Sequence, residues 1–88
     1  MIRVLIVDDE KINRQILRLL VLKSNYPPIE VVEAENGEEA VAIVKKGGID
    51  LVLMDIMMPL MSGIEATKQI KKYRHDLMVI AVSALDDE

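Results

Sequence analysis

Acidic side chains follow two apolar segments in this chain of 88 residues. Asp55 comes directly after the apolar residues 51–54, and the acidic residues 8–10 come directly after the apolar residues 4–7. If both segments are parallel strands, their carboxyl ends lie at one edge of a sheet, where doubly wound sheets bind ligands. Carboxylates about 4 Å apart repel each other by about 4 kcal/mol at an effective dielectric constant of about 20, so they take up protons or hold a cation. The pattern predicts a site for a divalent cation and a phosphoryl group.

Magnesium is the cation that suits these side chains best. Mg²⁺ prefers oxygen ligands in octahedral geometry and usually keeps several waters, so one or two carboxylates, a backbone carbonyl and a phosphate oxygen would complete its shell. We expect Asp9 and Asp55 to be direct ligands, and Asp8 to act through a water molecule.

Asp55 could also act as a nucleophile. A carboxylate can take a phosphoryl group and form an acyl phosphate while a metal ion neutralises charge on the transferred oxygens. Asp55 is best placed for this reaction, because it ends a predicted strand and precedes an exposed loop shaped by Pro59 and Gly63. Ser83, at the end of the next predicted strand, could donate a hydrogen bond to the same phosphoryl group.

Taken singly, each of these features has a simpler explanation. Residues 8–10 could be the acidic first turn of a helix, which the helix dipole favours. Ser83 alone would be an ordinary loop serine, and His75 reads as an exposed loop residue rather than a phosphoryl carrier. The methionines near Asp55 are packing and loop residues, because thioether sulfur suits soft metal ions. Only the joint arrangement is specific.

The elements that would position this site alternate between strands and helices. Apolar runs of strand length occupy residues 2–7, 29–34, 51–54 and 77–82, and segments with helical periodicity separate them. Strands that are apolar at nearly every position and joined by helices predict a parallel sheet covered on both faces, with right-handed crossovers.

The helices carry their own start and stop signals. Asn36 with Glu39, and Ser62 with Glu65, have the spacing of a capping box, and Gly47-Gly48 would end the second helix. The third helix is expected to bury Ile64 and Ile70. The first, predicted over residues 11–24 and ended by Tyr26-Pro27-Pro28, should pack an apolar face on the sheet. That face consists of Ile12, Ile16, Leu19, Leu20 and Lys23.

Composition sets outer limits on function. A hydrophobic content of 51% in a short chain predicts one compact domain over residues 1–88. The net charge of −4 and the scattered lysines argue against direct nucleic-acid contact, and no apolar run reaches the length of a membrane span. The absence of cysteine excludes thiol chemistry. We expect a soluble, cytoplasmic protein that contacts no membrane.

Several motifs together resemble the receiver domain of two-component response regulators. They follow the predicted strands in order: Asp8-Asp9, Glu35-Asn36-Gly37, Asp55 with Met58-Pro59 and Gly63, and Ser83-Ala84. The resemblance covers the whole chain. It implies an α/β, flavodoxin-like, doubly wound parallel sheet with strand order 2-1-3-4 in the part present.

The resemblance also implies roles for the site residues. Asp55 is similar to the phospho-acceptor, which takes a phosphoryl group from a histidine of a sensor kinase or phosphotransfer protein. Asp9, Asp55 and the backbone carbonyl of Met57 are similar to the Mg²⁺ ligands, and Asp8 to the second acid-pocket residue. Ser83 resembles the switch hydroxyl. The implied function is a phosphorelay signalling module rather than an enzyme.

One departure from the family pattern lies at the carboxyl end. The fifth strand, the last two helices and the lysine that the family places after its fifth strand are expected to be missing from residues 1–88, which predicts impaired switching. The apolar fourth strand would then be an exposed edge. We expect self-association through that strand or by exchange of elements between chains.

Other functions stay open on the sequence alone. A binding or oligomerisation module that no longer accepts phosphate is one alternative. A Mg²⁺-dependent phosphohydrolase with an aspartyl-phosphate intermediate is less favoured, because it would carry an acid two residues after the nucleophile, where this chain has Met57. A flavodoxin-type phosphate binder is disfavoured by the acidic residues 8–10, which would repel the phosphate.

Overall fold

The computed structural model describes residues 1–23 and 28–82 and shows alternating strands and helices. The strands are β1 (Ile2–Val7), β2 (Ile29–Ala34), β3 (Leu51–Asp55) and β4 (Met78–Val82). The helices are α1 (Lys11–Lys23), α2 (Gly37–Lys46) and α3 (Gly63–Tyr73). The predicted strands are confirmed to within a residue, since β3 extends to Asp55 and β4 begins at Met78 rather than Leu77.

All strand pairs are parallel, and the sheet order in the described residues is β2-β1-β3-β4. This confirms the predicted flavodoxin-like topology with order 2-1-3-4. Because β1 lies between β2 and β3, the chain that leaves β1 and the chain that leaves β3 emerge side by side at one edge. The end of β1 is in register with the end of β3, where Val7 pairs with Met54.

One face of the sheet carries the main core. Leu5 and Val7 of β1 and Val52 and Met54 of β3 are fully buried there. The helical members of this core are Ala40, Val41 and Val44 of α2 and Ala66 and Ile70 of α3. Burial of these side chains is the dominant favourable contribution to folding, so α2 and α3 are fixed to the sheet by packing.

The opposite face, on the side of α1, is covered only in part. Ile6 of β1 is fully buried, its neighbour Leu53 in β3 is half-buried, and Ile80, next in the same row, is 44% exposed. Met78 on the same face of β4 is 61% exposed. Within the described residues, this face therefore loses its cover progressively from β1 to β4.

The prediction that the apolar stripe of α1 packs on the sheet is wrong. Ile12, Ile16, Leu19 and Leu20 are all exposed, and α1 contains no fully buried residue. The half-buried residues of the helix are Asn13, Arg14, Leu17 and Val21, so α1 turns a mixed polar and apolar side toward β1 and β2. A periodic stripe shows that a helix has an apolar face, but it does not show what covers that face.

The predicted burial in α3 is correct for Ile70 and wrong for Ile64. Ile70 is fully buried, whereas Ile64 is 59% exposed. The buried stripe of α3 consists of Gly63, Ala66 and Ile70, whose spacing of three and four residues keeps them on one side of the helix. Ile64 lies outside that stripe because it follows Gly63 directly, about 100° around the helix axis.

Side-chain caps begin the second and third helices as predicted. The amide of Glu39 donates to Asn36 Oδ1 at 2.7 Å, and the amide of Glu65 donates to Ser62 Oγ at 3.2 Å. In a capping box the Glu39 side chain would accept from the amide of Asn36. Here Glu39 Oε1 accepts instead from the amide of the preceding residue, Glu35, at 2.7 Å. Gly47, with φ of 90°, ends α2 in a conformation that glycine adopts without strain. The proposed α1 terminator Tyr26-Pro27-Pro28 lies partly outside the described residues.

Candidate functional site

Three carboxylates from two neighbouring strands meet at the carboxyl edge of the sheet. Asp8 and Asp9 follow β1, Asp55 ends β3, and one carboxylate oxygen from each lies within 4.8 Å of the others. Asp8 and Asp55 are buried and Asp9 is exposed. The structure therefore brings together the acidic residues that the sequence singled out, with one side open to solvent.

Backbone hydrogen bonds hold the first two acids in place. The amide of Asp8 donates to the carbonyl of Ala34 on β2 at 3.1 Å, which extends the sheet by one residue. Asp8 Oδ1 accepts from the amide of Glu10 at 2.9 Å. This short turn leads directly into α1, so Asp9 is held at the corner between the strand and the helix.

The Asp55 carboxylate has one oxygen held and one available. Its Oδ1 accepts from the amide of Met57 at 3.1 Å, and no bond to Oδ2 is found within the described ranges. Met57 itself is exposed and lies two residues after Asp55, where its backbone carbonyl remains the predicted third protein ligand. A carboxylate held through one oxygen keeps the other for a metal ion or a phosphoryl group.

Burial raises the pKa of the Asp55 carboxyl above its ordinary value of 3.8, and the negative charges of Asp8, Asp9 and Glu10 raise it further. The Met57 N–H opposes this by stabilising the ionised form. The acidic cluster is thus a place where negative charge is in excess. A divalent cation would remove that excess, and the all-oxygen donor set is the type that Mg²⁺ prefers.

Gly63 allows the loop after Asp55 to close onto the end of β3. The Gly63 amide donates to the carbonyl of Ile56 at 3.0 Å. A Cβ at position 63 would meet the backbone carbonyl oxygen of Asp55 and would lie 2.7 Å from the Cα of Ile56. These obstacles are backbone atoms that cannot move aside, so a glycine is required here and helps to fix Asp55.

The same loop holds Leu60 with φ of 70°, an uncommon left-handed conformation for a branched side chain. Its side chain is almost fully exposed, at 98%. Next to the loop, an apolar cleft of about 260 Å³ lies between α3 and the strands β3 and β4. Met54, Ile56, Ile64, Thr67 and Val79 contribute to its walls.

Ser83 lies outside the described residues, so its role as the switch hydroxyl stays a prediction. His75 is exposed in the loop between α3 and β4, in agreement with its interpretation as a loop residue.

The sequence interpretation missed Arg14, which contacts the acidic loop, and Glu33, which pairs with Arg14. Arg14 Nη1 donates to the backbone carbonyl of Asp8 at 2.7 Å, and Arg14 Nε donates to Glu33 Oε1 at 2.9 Å. Arg14 lies outside the apolar stripe of α1 and is half-buried. Helical side chains tilt toward the helix N-terminus, so a long residue in the first turn can reach back to the preceding loop, and this signal was available in the sequence.

A family model described as the response regulator receiver domain matches residues 4–88. The chain belongs to this family.

Curated relatives of the receiver domain include free-standing proteins and larger regulators. The chemotaxis protein CheY of Halobacterium salinarum is 41% identical over 86 residues, which cover 98% of this chain and 69% of that protein. The transcriptional regulatory protein YdfI of Bacillus subtilis is 42% identical over 86 residues, which cover 98% of this chain but only 39% of YdfI. This receiver domain therefore corresponds to a minor part of YdfI.

Solved receiver structures superpose closely on this fold. The response regulator TrrA from Thermotoga maritima, in complex with Mg²⁺-BeF, matches with a TM-score of 0.87 and 38% identity over 98% of this chain and 72% of that one. TrrA in complex with the histidine kinase ThkA matches with a TM-score of 0.85, 38% identity and the same coverage of both chains.

Among the helices of residues 1–23 and 28–82, none combines the length and the apolar character that a membrane span needs.

Proposed function

We propose that residues 1–88 form one receiver domain that accepts a phosphoryl group on Asp55 from a histidine kinase or a phosphotransfer protein, in a Mg²⁺-dependent reaction. The observation that carries this proposal is the meeting of Asp8, Asp9 and Asp55 within 4.8 Å at the carboxyl edge of the sheet. The family membership supports it. So does the similarity to receivers solved with Mg²⁺-BeF and with a histidine kinase.

The chemistry is a transfer between two nucleophiles. The free carboxylate oxygen of Asp55 attacks phosphorus as the bond from phosphorus to the donor's imidazole nitrogen breaks. That nitrogen keeps the electron pair of the broken bond, and the product is an acyl phosphate on Asp55. The Met57 amide holds the other carboxylate oxygen at 3.1 Å, which orients the nucleophile without taking up its reactive atom.

The acidic side chains would hold the metal ion. Asp9 and Asp55 are the proposed direct ligands, with the Met57 carbonyl, while Asp8 would act through a water molecule. Bound Mg²⁺ would supply positive charge that neutralises the transferred phosphoryl oxygens. Ser83 is the proposed hydroxyl that bonds the phosphoryl group after transfer.

In this role the chain is a signalling module whose partner is a kinase or a phosphotransfer protein. We also propose that it acts in the cytoplasm. An enzymatic phosphohydrolase is the weaker alternative, because the exposed residue two positions after Asp55 is a methionine rather than an acid.

We also propose self-association through β4, where Met78 and Ile80 are exposed on an edge strand of the described sheet.

The test is phosphorylation of the chain by a small-molecule phosphodonor. Incubation with acetyl phosphate and Mg²⁺, followed by intact-mass measurement, should show one added phosphoryl group that survives acid and is lost in base. Asp55→Asn should show none. Asp76→Asn is the matched control, because Asp76 is an exposed aspartate in the loop between α3 and β4.

The outcome separates the candidate functions. An adduct that depends on Asp55 and is stable for minutes supports the receiver function. A folded chain that binds Mg²⁺ but gives no adduct would support the non-phosphorylated binding module. Catalytic release of phosphate over many turnovers would support the phosphohydrolase.

A further inference from the structure

We infer that Arg14 is a positioning residue for the acidic site, holding the Asp8–Asp9 peptide in the orientation that metal binding needs. The inference rests on the proposed function, because it assigns a purpose to a contact within that site. Arg14 itself contacts no carboxylate of the cluster in the described hydrogen bonds, and it acts through the backbone of Asp8.

The contact acts on the peptide bond that joins the two acids. The carbonyl of Asp8 belongs to the planar unit that also carries the amide of Asp9, so its direction constrains how both side chains leave the backbone. Arg14 Nη1 donates to this oxygen at 2.7 Å, a short, charge-assisted bond. The amide of Asp8 and its Oδ1 are bonded as well, to Ala34 and Glu10. With Arg14, Asp8 is held at three atoms: its amide nitrogen, its carbonyl oxygen and one carboxylate oxygen.

Arg14 is in turn anchored to the sheet. Its Nε donates to Glu33 Oε1 at 2.9 Å, and Glu33 lies near the end of β2, in register with Ile6 of β1. The guanidinium is a planar fork, so fixing one side by Glu33 aims the other side at the Asp8 carbonyl. The Arg14 side chain is only 13% exposed, which shields these bonds from water.

Packing fixes α1 less firmly than it fixes α2 and α3, each of which has buried residues. No residue of α1 is fully buried, so the start of the helix is not fixed by a close-packed core. The loop at residues 8–10 lies between β1 and this loosely covered helix. Through its two hydrogen bonds, Arg14 connects the loop, the helix and β2.

Arg18 provides a matched comparison. It also pairs with Glu33, through Nη1 and Oε2 at 3.3 Å, but the described hydrogen bonds give it no contact with Asp8. Its side chain is 45% exposed. Arg14→Met and Arg18→Met each remove one positive charge beside Glu33, and only the first removes the bond to the loop.

A purely electrostatic effect and a positioning effect have opposite signs. Removing a positive charge near an acidic cluster should strengthen the binding of a cation, whichever arginine is removed. Removing the support of a ligand should weaken metal binding, typically by 10- to 100-fold for residues that hold ligands in place, roughly as seen at other metal sites. The sign of the change therefore identifies the role of Arg14.

The experiment measures Mg²⁺ affinity by isothermal titration calorimetry with Mg²⁺ alone, on the full chain. Arg14→Met should raise the Kd about tenfold or more, in line with the typical effect of losing such support, while Arg18→Met leaves it unchanged or lowers it. Arg14→Lys retains the charge but not the fork, so its Kd should fall between wild type and Arg14→Met. If Arg14→Met does not fold, the Mg²⁺ Kd of Arg14→Lys is compared with that of Arg18→Met, and a higher Kd for Arg14→Lys supports the positioning role.

Amide hydrogen exchange without metal provides a second, independent measurement. The amides of Asp8 and Glu10 should exchange faster in the Arg14 variants than in wild type or Arg18→Met. Unchanged exchange and an unchanged or lower Kd in both Arg14 variants would overturn the inference. A wild-type chain that binds no Mg²⁺ would instead overturn the proposed metal site, and the exchange rates would still decide whether Arg14 holds the loop.

Discussion

The two faces of the sheet are held together in different ways. On the face of α2 and α3, apolar side chains from both helices and from β1 and β3 form a closed core. On the face of α1, the helix buries no residue completely, and β4 leaves Met78 and Ile80 exposed. Asp55 belongs to the strand that the core fixes, whereas Asp8 and Asp9 lead into the loosely covered helix. The core fixes the ends of both β1 and β3, but Asp8 and Asp9 lie beyond their strand, where hydrogen bonds to Ala34, Glu10 and Arg14 supplement the packing.

The largest difference between the faces should appear on truncating one isoleucine from each. Ile70→Ala removes a fully buried side chain and should cost about 2–5 kcal/mol of unfolding free energy. Ile16→Ala removes a side chain that is 50% exposed and should cost less than about 1 kcal/mol, partly because alanine favours the helix. Urea denaturation measures the unfolding free energies of both variants. Unfolding is followed by far-UV circular dichroism, because the chain has no tryptophan whose fluorescence could report it. Equal costs would mean that α1 is covered as well as α3.

Gly63→Ala tests how tightly the core face holds Asp55. The added methyl group would collide with backbone at Asp55 and Ile56, so we expect a loss of about 2–3 kcal/mol and slower phosphorylation of the residual folded protein. Gly47→Ala is the control, because its φ of 90° is unfavourable for alanine but nothing lies near the new methyl group. That variant should lose about 1 kcal/mol without affecting Asp55. A stable, normally phosphorylated Gly63→Ala would refute the requirement for glycine.

Exposed side chains on the α1 face should promote contact between chains. Ile80→Lys places a charge on β4, an edge strand of the described sheet, and should weaken self-association at least about tenfold in Kd, or about 1.4 kcal/mol. Leu60→Lys is the matched control, since Leu60 is equally apolar and more exposed but lies in the loop after β3. Sedimentation velocity across a concentration series measures the self-association of wild type and of the two variants. A wild-type chain that stays monomeric throughout would contradict the proposed self-association.

The smallest predicted effect concerns the charge of Asp55. Because its pKa is raised in the folded state, its protonated form stabilises the fold below about pH 3.8, and that contribution is lost as the pH rises through the folded pKa. Asp55→Asn, without metal, should therefore be more stable than wild type at neutral pH and equally stable at low pH. Asp76→Asn should show the opposite sign, since the residue's own backbone N–H and the Arg74 side chain lower the pKa of Asp76. A pH-independent difference for Asp55→Asn would contradict the charge explanation.

Features that depend on neighbours in sequence were predictable. The apolar strands and the helix caps at Asn36 and Ser62 are local patterns, and the strand ends placed the acids at one edge. The covering of α1 was not predictable, because its stripe has the same periodicity whether or not another element packs on it. The contact between Arg14 and Glu33 joins residues 19 positions apart and depends on how α1 lies across β2.

The exposure of Met57, close to the buried Met54 of β3 and Met58 of the loop, has a chemical consequence. Mild peroxide oxidises accessible thioethers to sulfoxides first, so Met57, 76% exposed, should react well before Met54 and Met58, which the core shields. A polar, chiral sulfoxide would then stand two residues from Asp55, on the residue whose amide holds that carboxylate. Peptide mapping after brief oxidation would show the order. The exposed Met1 and Met78 should also react, so the phosphorylation rate of the oxidised chain, compared with that of oxidised Met57→Leu, would show how far damage at Met57 reaches the neighbouring acid.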